Sequence, residues 1–427
     1  MSNKPTANVS PNNLKNQPVR ICFVYQTDYP WDVRVEKIAR GLTAAGHHVT
    51  LVSANEKGRA RREQLPEAEV LRLPHSKGIF RFLNGVINFP FFFNPFWLFA
   101  IARCVRKGGA DAIVVRDLPL ALTGIFVGWL YRVPVMMDMA ECYPELLRNM
   151  WRYGNFNIVN VFARNPLFAD WIERMAVRRL DHTFVMVEES RDRLQAIGAD
   201  PARLSIVSNT PPRGKFEPLM GVAHGTAASR PLTVVYAGWV NRGRGIDTVV
   251  EGMAAYVKQH GRDVRLVVIG TGDAEAECRA RSHELGLDDV ISFKGWLGNE
   301  QVVEYVLASD VGLVPHHVSG HWNNTVPNKL FDYMASGVVV LTSNTRPVAR
   351  IVSETGSGLV YQDYDAADFA TQLAKLAKPE LRASMAERAR AAVRARYNWE
   401  HDIAVLVGVI ESVCAQATPG SPSATQG

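Results

Sequence analysis

The chain has 427 residues, 47% of them hydrophobic, enough for two ordinary domain cores, and a net charge of +6. The first 210 residues hold 27 Lys and Arg against 19 Asp and Glu, and the remainder 21 against 23. The excess positive charge forms no dense cluster and accompanies no nucleic-acid motif, which argues against nucleic acid and for an anionic membrane surface.

Residues 1–17 are polar, lack an apolar segment and do not resemble a secretion signal; they are expected to be a disordered tail. "VRICFVYQTDYP" predicts a buried strand ending near Tyr25. "DVRVEKIARGLTAAGHHVTLVSA" predicts an amphipathic helix, a turn at Gly46 and a strand from Val49. Residues 85–102, "GVINFPFFFNPFWLFAIA", are uncharged and of membrane-spanning length. Asn88, Pro90, Asn94 and Pro95 interrupt them, and Arg81, Arg103, Arg106 and Lys107 flank them. A partly inserted interfacial segment fits better than a span, with Phe91, Phe92, Phe93, Phe96 and Trp97 as membrane contacts; a core or dimer-contact element is the other reading. The aromatic and basic stretch 148–180 points the same way.

Further strands are expected over 112–115 and 133–137. The βα pattern pauses at a linker over 211–230 and restarts with the apolar runs 232–238, 264–270, 290–295, 310–315 and 338–343. Two doubly wound, Rossmann-like α/β domains follow, over 18–210 and 231–396, with a ligand in the cleft at their strand ends. A terminal amphipathic helix is expected over 397–415 and a disordered tail over 416–427. The five cysteines, Cys22, Cys104, Cys142, Cys278 and Cys414, show no metal or redox spacing and read as reduced thiols of a cytosolic protein.

In "NNTVPNKLFDYMASG" (323–337), a short helix after Pro327 places Lys329 and Asp332 on one face, with Ser336 a turn beyond. A helix start and a lysine suit a phosphate, and Asp332 suits ribose hydroxyls; a surface ion pair is the plainer reading. "YAGWVNRGRGID" adds Gly238, Arg242, Gly243, Arg244 and Gly245, "VIGTGD" adds Gly270 and Gly272, and "FKGWLGN" adds Trp296 for a base. Four such strand ends in one domain favour a nucleoside diphosphate site.

The second domain resembles the donor domain of the family 4 glycosyltransferases of the GT-B fold, through "GWVNRGRGID", "VVIGTGD", "ISFKGWLGN", "ASDVGLVP" and "PNKLFDYMASGVVVLTS". The first is similar through "RVEKIARGLTAAGHHVTLVSA", "DAIVVRDLPLALTG" and "VMMDMAECYPELL". The resemblance covers roughly residues 18–412 and lies nearest to enzymes that build bacterial cell-surface polysaccharides on lipid carriers. It implies a nucleoside diphosphate-sugar co-substrate held by the second domain, without cofactor or metal. It further implies retaining hexosyl or N-acetylhexosaminyl transfer to a lipid-linked or growing polysaccharide acceptor bound by the first domain. The enzyme would sit peripherally on the inner face of the plasma membrane, its C-terminal helix returning to the first domain.

By position, Arg244 takes the place of the family's phosphate-binding lysine and Asp332 that of its ribose-binding glutamate. Asn324 stands where another acid is usual, Trp239 where arginine is common, so that Arg242 shares the phosphate role, and Arg116 where the family has a histidine. Asn328 and Lys329 complete the donor site. Lys329, Arg116, Asp138 and Glu141 are the expected catalytic groups, the two acids as a general-base or sugar-binding pair. Asp28, Arg34 and Asp117 are candidates for acceptor binding, against a plain capping or pairing role. His316, His317, His321 and Trp322 fit no standard zinc spacing and are expected to line the donor sugar. An epimerase on the same fold, or a non-catalytic partner subunit, is the alternative.

Overall fold

The structure, a computed structural model, describes residues 17–30, 32–75, 93–153, 164–215 and 230–417. Residues 85–92, most of 1–17, 216–229 of the linker and 418–427 therefore lie outside the described residues, as do the expected membrane contacts Phe91 and Phe92.

The first sheet holds β1 (Arg20–Asp28), β2 (His48–Ala54), β3 (Arg62–Gln64), β4 (Glu69–Arg72), β5 (Ala112–Arg116), β6 (Val135–Met139), β7 (His182–Val185) and β8 (Leu204–Ile206), in the order β3-β4-β2-β1-β5-β6-β7-β8. The second holds β9 (Leu232–Ala237), β10 (Val264–Ile269), β11 (Ile291–Gly295), β12 (Val311–Val314), β13 (Val339–Ser343) and β14 (Gly358–Tyr361), in the order β11-β10-β9-β12-β13-β14. All pairs are parallel except β3–β4. Continuous Val/Ile/Leu runs suit strands covered by helices on both faces, as here. The chain reverses its direction of winding beside β1 and again beside β9, so a ligand crevice is expected at the carboxyl ends of both strands. These are the two doubly wound α/β domains that the sequence predicts.

β3, β4, β7, β8 and β14 add to the expected strands, and two of the expected ones have shifted ends. β1 runs on to Asp28, with a register shift after Tyr25. β6 starts at Val135 and not Val133, because Pro134 has no N–H for the ladder; its carbonyl accepts from Ile113 at 2.9 Å.

The helix Pro95–Gly108 begins with Asn94 accepting from the amides of Phe96 and Trp97. Trp97 is fully buried with Ile101 and Cys104, so its expected membrane contact is corrected: helical periodicity turns it onto the sheet, while Phe96 and Phe99 face outward.

The helix Trp399–Ala417 crosses back to the first domain. Trp399 donates its amide to Pro211 O at 3.0 Å, Asp402 accepts from the Thr210 hydroxyl, and Leu406 and Ile410 sit in the core that covers β1 and β2. Replacing Leu406 by alanine is expected to cost about 2–5 kcal/mol of stability, a core truncation at a fully buried site. Urea unfolding measures it, and amide protection should fall in β1 and β2.

Candidate functional site

At the end of β9 the backbone turns at Gly238 with φ 148°, where a Cβ would lie 2.6 Å from Lys329 Nζ. Only glycine leaves room for that ammonium. Lys329 is in the first turn of the helix Asn328–Ser336, whose start no side chain caps. Leu330, Phe331, Met334 and Ala335 bury the opposite flank, and Gly337 closes the helix at φ 74°. Lys329 and Asp332 thus share the face toward a cleft of about 680 Å³ between the two domains. Ser336 is buried and donates to Asp332 O at 2.8 Å, so it does not extend that face.

Lys329 Nζ is buried and has no hydrogen-bond partner among the described residues. It stands 3.7 Å from the centroid of the Tyr236 ring. Burial, and then Arg244, pull its pKa well below the ordinary lysine value. Arg244 also lines the cleft; its NH1 donates to His316 Nε2 at 2.9 Å and its guanidinium lies 4.5 Å from the Trp322 ring centroid. Burial lowers its pKa as well. Two desolvated cations, neither in an ion pair among the described residues, and an uncapped helix start make an anion site. Gly270, Asn328, Trp239 and Trp296 border the same cleft, the tryptophans 60% and 76% exposed.

Other expected donor residues go elsewhere. Arg242 is turned out of the cleft: Asp273 accepts from its amide at 3.1 Å, and its guanidinium lies 3.5 Å from Glu277, beside a separate cavity. Gly272 serves loop packing, since a Cβ there would sit 2.1 Å from Asn241 Oδ1. The Asn324 amide donates to Gly320 O at 2.7 Å, away from the cleft wall.

On the first domain, β5 and β6 set Arg116 directly beside Asp138. Asp138 is 0% exposed and accepts from Arg34 Nε and NH2, and from Arg116 NH1 at 2.7 Å. Burial would raise its pKa, but the two guanidiniums outweigh burial and hold the carboxyl below its usual range. A carboxylate held in this way is a fixed counter-ion, and the expected general-base pair with Glu141 is corrected on that ground: of the two, Glu141 faces the cleft. Arg34 and Arg116 border the cleft as the partners of Asp138. Burial raises the Glu141 pKa, against Arg116 and Arg244, and its Oε2 lies 3.4 Å from His321 Nε2 of the other domain.

Asp117 holds φ 60° and accepts from the amides of Ala140 and Glu141 at 2.9 and 3.1 Å, so it sets the backbone of Glu141 from behind. Burial pushes its carboxyl up to about 6. Asp28 accepts from the Glu56 and Lys57 amides at 2.6 and 2.9 Å and belongs to that turn, not to the cleft. Asp32 was not singled out. It caps the helix Val33–Ala44, lies 3.6 Å from Arg116 and borders the cleft; an acid just before an amphipathic run is the signal that finds it.

The three histidines separate. His316 holds Arg244 and His321 meets Glu141, while His317 lies between Asp363 and Asp247 at 2.6 and 2.9 Å. Of the cluster only Trp322 borders the cleft. Among the described residues no three His, Cys, Asp or Glu are grouped to hold a metal ion.

Residues 32–210 match the family described as glycosyl transferase 4-like domain, and residues 224–392 that described as glycosyl transferases group 1. The D-inositol 3-phosphate glycosyltransferase of Acidothermus cellulolyticus is 24% identical over 239 residues, 53% of this chain and 52% of that protein. The amylovoran biosynthesis glycosyltransferase AmsK of Erwinia amylovora is 24% identical over 155 residues, 36% of this chain and 38% of that protein. The chain thus spans about half or less of the length of these curated relatives. The structure of Anabaena Alr3699/HepE in complex with UDP and glucose superposes with a TM-score of 0.63 at 14% identity, covering 92% of this chain and 100% of that one.

Burial would lower the His317 pKa, but Asp247 and Asp363 outweigh it and raise the value to about 9. A group held above its unfolded value of about 6.5 contributes stability that is complete below that pH and is lost as pH rises through 9. Denaturant unfolding from about pH 6 to 10 should show that decline, and His317→Gln should flatten it.

Proposed function

Because the chain belongs to the family 4 glycosyltransferases of the GT-B fold, we propose that it moves a sugar from a nucleoside diphosphate-sugar to a lipid-linked or growing polysaccharide acceptor, with retention and without a metal. One observation carries the reading: the unpartnered Lys329 ammonium and the Arg244 guanidinium, both desolvated, converge on the interdomain cleft. Transfer breaks the C1–oxygen bond and leaves the electron pair on the diphosphate. Lys329, Arg244 and the free amides of the Asn328–Ser336 start stabilise that charge. Asp332 takes the ribose hydroxyls and Trp296 the base. The acceptor hydroxyl attacks C1 from the leaving-group side, and its proton passes to the departing phosphate oxygen. Glu141, with Arg116 behind it, orients the acceptor from the opposite wall. The complex with UDP and glucose in the Anabaena structure, and amylovoran biosynthesis in the AmsK name, support the donor and acceptor classes.

The site of action is the cytoplasmic membrane face. Among the described residues no helix is long and apolar enough to cross a membrane. The helices Pro95–Gly108, Ala121–Tyr131, Tyr143–Tyr153 and Pro166–Val177 instead pack as one layer over the first sheet. Their outer surface exposes Phe96, Phe99, Trp129, Leu130, Leu167 and Trp171, with Trp129 at 73%. Arg103, Arg106, Lys107, Arg132, Arg174 and Arg178 are exposed on the same elements or at their ends. Aromatic side chains beside exposed arginines suit an anionic lipid surface. The helix Tyr143–Tyr153 starts two residues after Glu141, so this layer adjoins the cleft.

Lys329→Ala is expected to lower kcat/KM by about 10²–10³, as for loss of one oxyanion-stabilising donor. Lys329→Ala and Asp332→Ala should each weaken binding of UDP, GDP or ADP in calorimetric titration with the melting temperature kept; unchanged binding in both refutes the donor site. Trp129→Ser with Trp171→Ser should cut co-sedimentation with phosphatidylglycerol vesicles, and an unaltered bound fraction removes the membrane reading.

A further inference from the structure

Several buried or half-buried arginines of this protein are anchored by carboxylates: Arg34 and Arg116 by Asp138, Arg193 by Glu173, Arg350 by Glu188 and Glu189. Arg244 is anchored differently, by an imidazole and an indole. His316 is 1% exposed, and accepting from Arg244 at Nε2 requires its neutral form with the proton on Nδ1. Burial first, then Lys329, Arg244, His321 and His317, keep it neutral by lowering its pKa well below the ordinary value. The Trp322 ring beneath the guanidinium is itself fixed, 4.1 Å from the His316 ring and 4.7 Å from that of His321.

The loop and the arginine's own turn are locked together. The amide of His317 donates to Gly243 O at 3.1 Å, and a Cβ on Gly245 would sit 1.7 Å from Pro315 O. The Ser343 hydroxyl donates to His316 O, tying the loop to β13. A carboxylate in the same place would hold Arg244 equally well but would cancel its charge and repel a diphosphate. A neutral acceptor and an aromatic face fix the direction of the guanidinium and leave its charge available.

We propose that His316 and Trp322 are positioning residues that aim an uncancelled Arg244 at the diphosphate of the donor. This rests on the nucleotide-sugar reading above.

Titration of UDP, GDP and ADP selects the tightest probe, which is then measured against Arg244→Gln, His316→Leu, His316→Gln and the double variant Arg244→Gln/His316→Leu. His316→Leu should weaken the diphosphate by about tenfold, the scale of one hydrogen bond to a charged group. It should also narrow the preference for diphosphate over the matching monophosphate. His316→Gln keeps an acceptor and should restore most of the affinity, and the double variant should be no weaker than Arg244→Gln alone. Where His316→Leu does not fold, Trp322→Leu takes its place in the comparison. Equal losses in the Leu and Gln variants, or additive losses in the double variant, overturn the proposal. If Arg244→Gln weakens binding and His316→Leu does not, the positioning role falls and the donor reading stands. If Arg244→Gln changes nothing, both fall.

Discussion

A lysine ammonium taken out of water without a counter-ion costs several kcal/mol, and the cleft is built around one. Lys329 is held by what packs on it: the Tyr236 face, the space left at Gly238, and the apolar flank of its own helix. The quadrupole of the ring offsets part of the desolvation, on the order of 2 kcal/mol at a buried site. The rest is relieved when an anion enters, and it enters where the dielectric is low and each charge contact is strong. The lowered pKa of Lys329 has the same origin, so an anion bound beside it would raise that pKa again.

The opposite wall follows the reverse logic. Arg34 and Arg116 close on Asp138, and the remaining donors of Arg34 go to Val207 O and Ser208 O. Those charges are cancelled where they stand, and they make a rigid floor at the ends of β1, β5 and β6. Arg116 is also held by Asp117 and Asp32, and the acids together raise its pKa against the effect of burial. A diphosphate therefore meets satisfied cations on one side of the cleft and unsatisfied ones on the other. This asymmetry, more than the sum of positive charge, supports placing the donor of the proposed reaction on the second domain.

Sequence reasoning reached what depends on local periodicity. Two β/α domains, the helix after Pro327, and Lys329 with Asp332 on its outer face all follow from spacing along the chain. It missed what depends on residues far apart. "NRGRG" offers two arginines two positions apart, and nothing local tells them apart: Arg242 is drawn off by Asp273 and Glu277, Arg244 is caught by His316, 72 positions on. Asp138 and Glu141 look alike in "DMAECY" until Arg34, 104 positions earlier, closes over the first. Trp97 sits among five aromatics that look equally exposed, and only the phase of the helix turns it inward. Gly272 resembles a ligand-approach glycine and is one for a neighbouring loop.

The two walls are held together by contacts that cross the cleft at and just before the start of the helix Asn328–Ser336. Ser190 donates to Asn324 O, Asn209 to Asn328 Oδ1 at 2.7 Å, and Glu141 meets His321. Further out, Arg350 on the second domain binds Glu188 and Glu189 on the first. The loop over 316–325 lies between these contacts and Arg244. It presses His316 and Trp322 on the arginine, and offers His321, beside that Trp322, to Glu141. Glu141 and Arg244, which the proposed transfer sets at the acceptor and at the diphosphate, are thus held through one short loop. Movement of one domain on the other would displace both, so the proposed transfer requires the two walls to be held together as these contacts hold them.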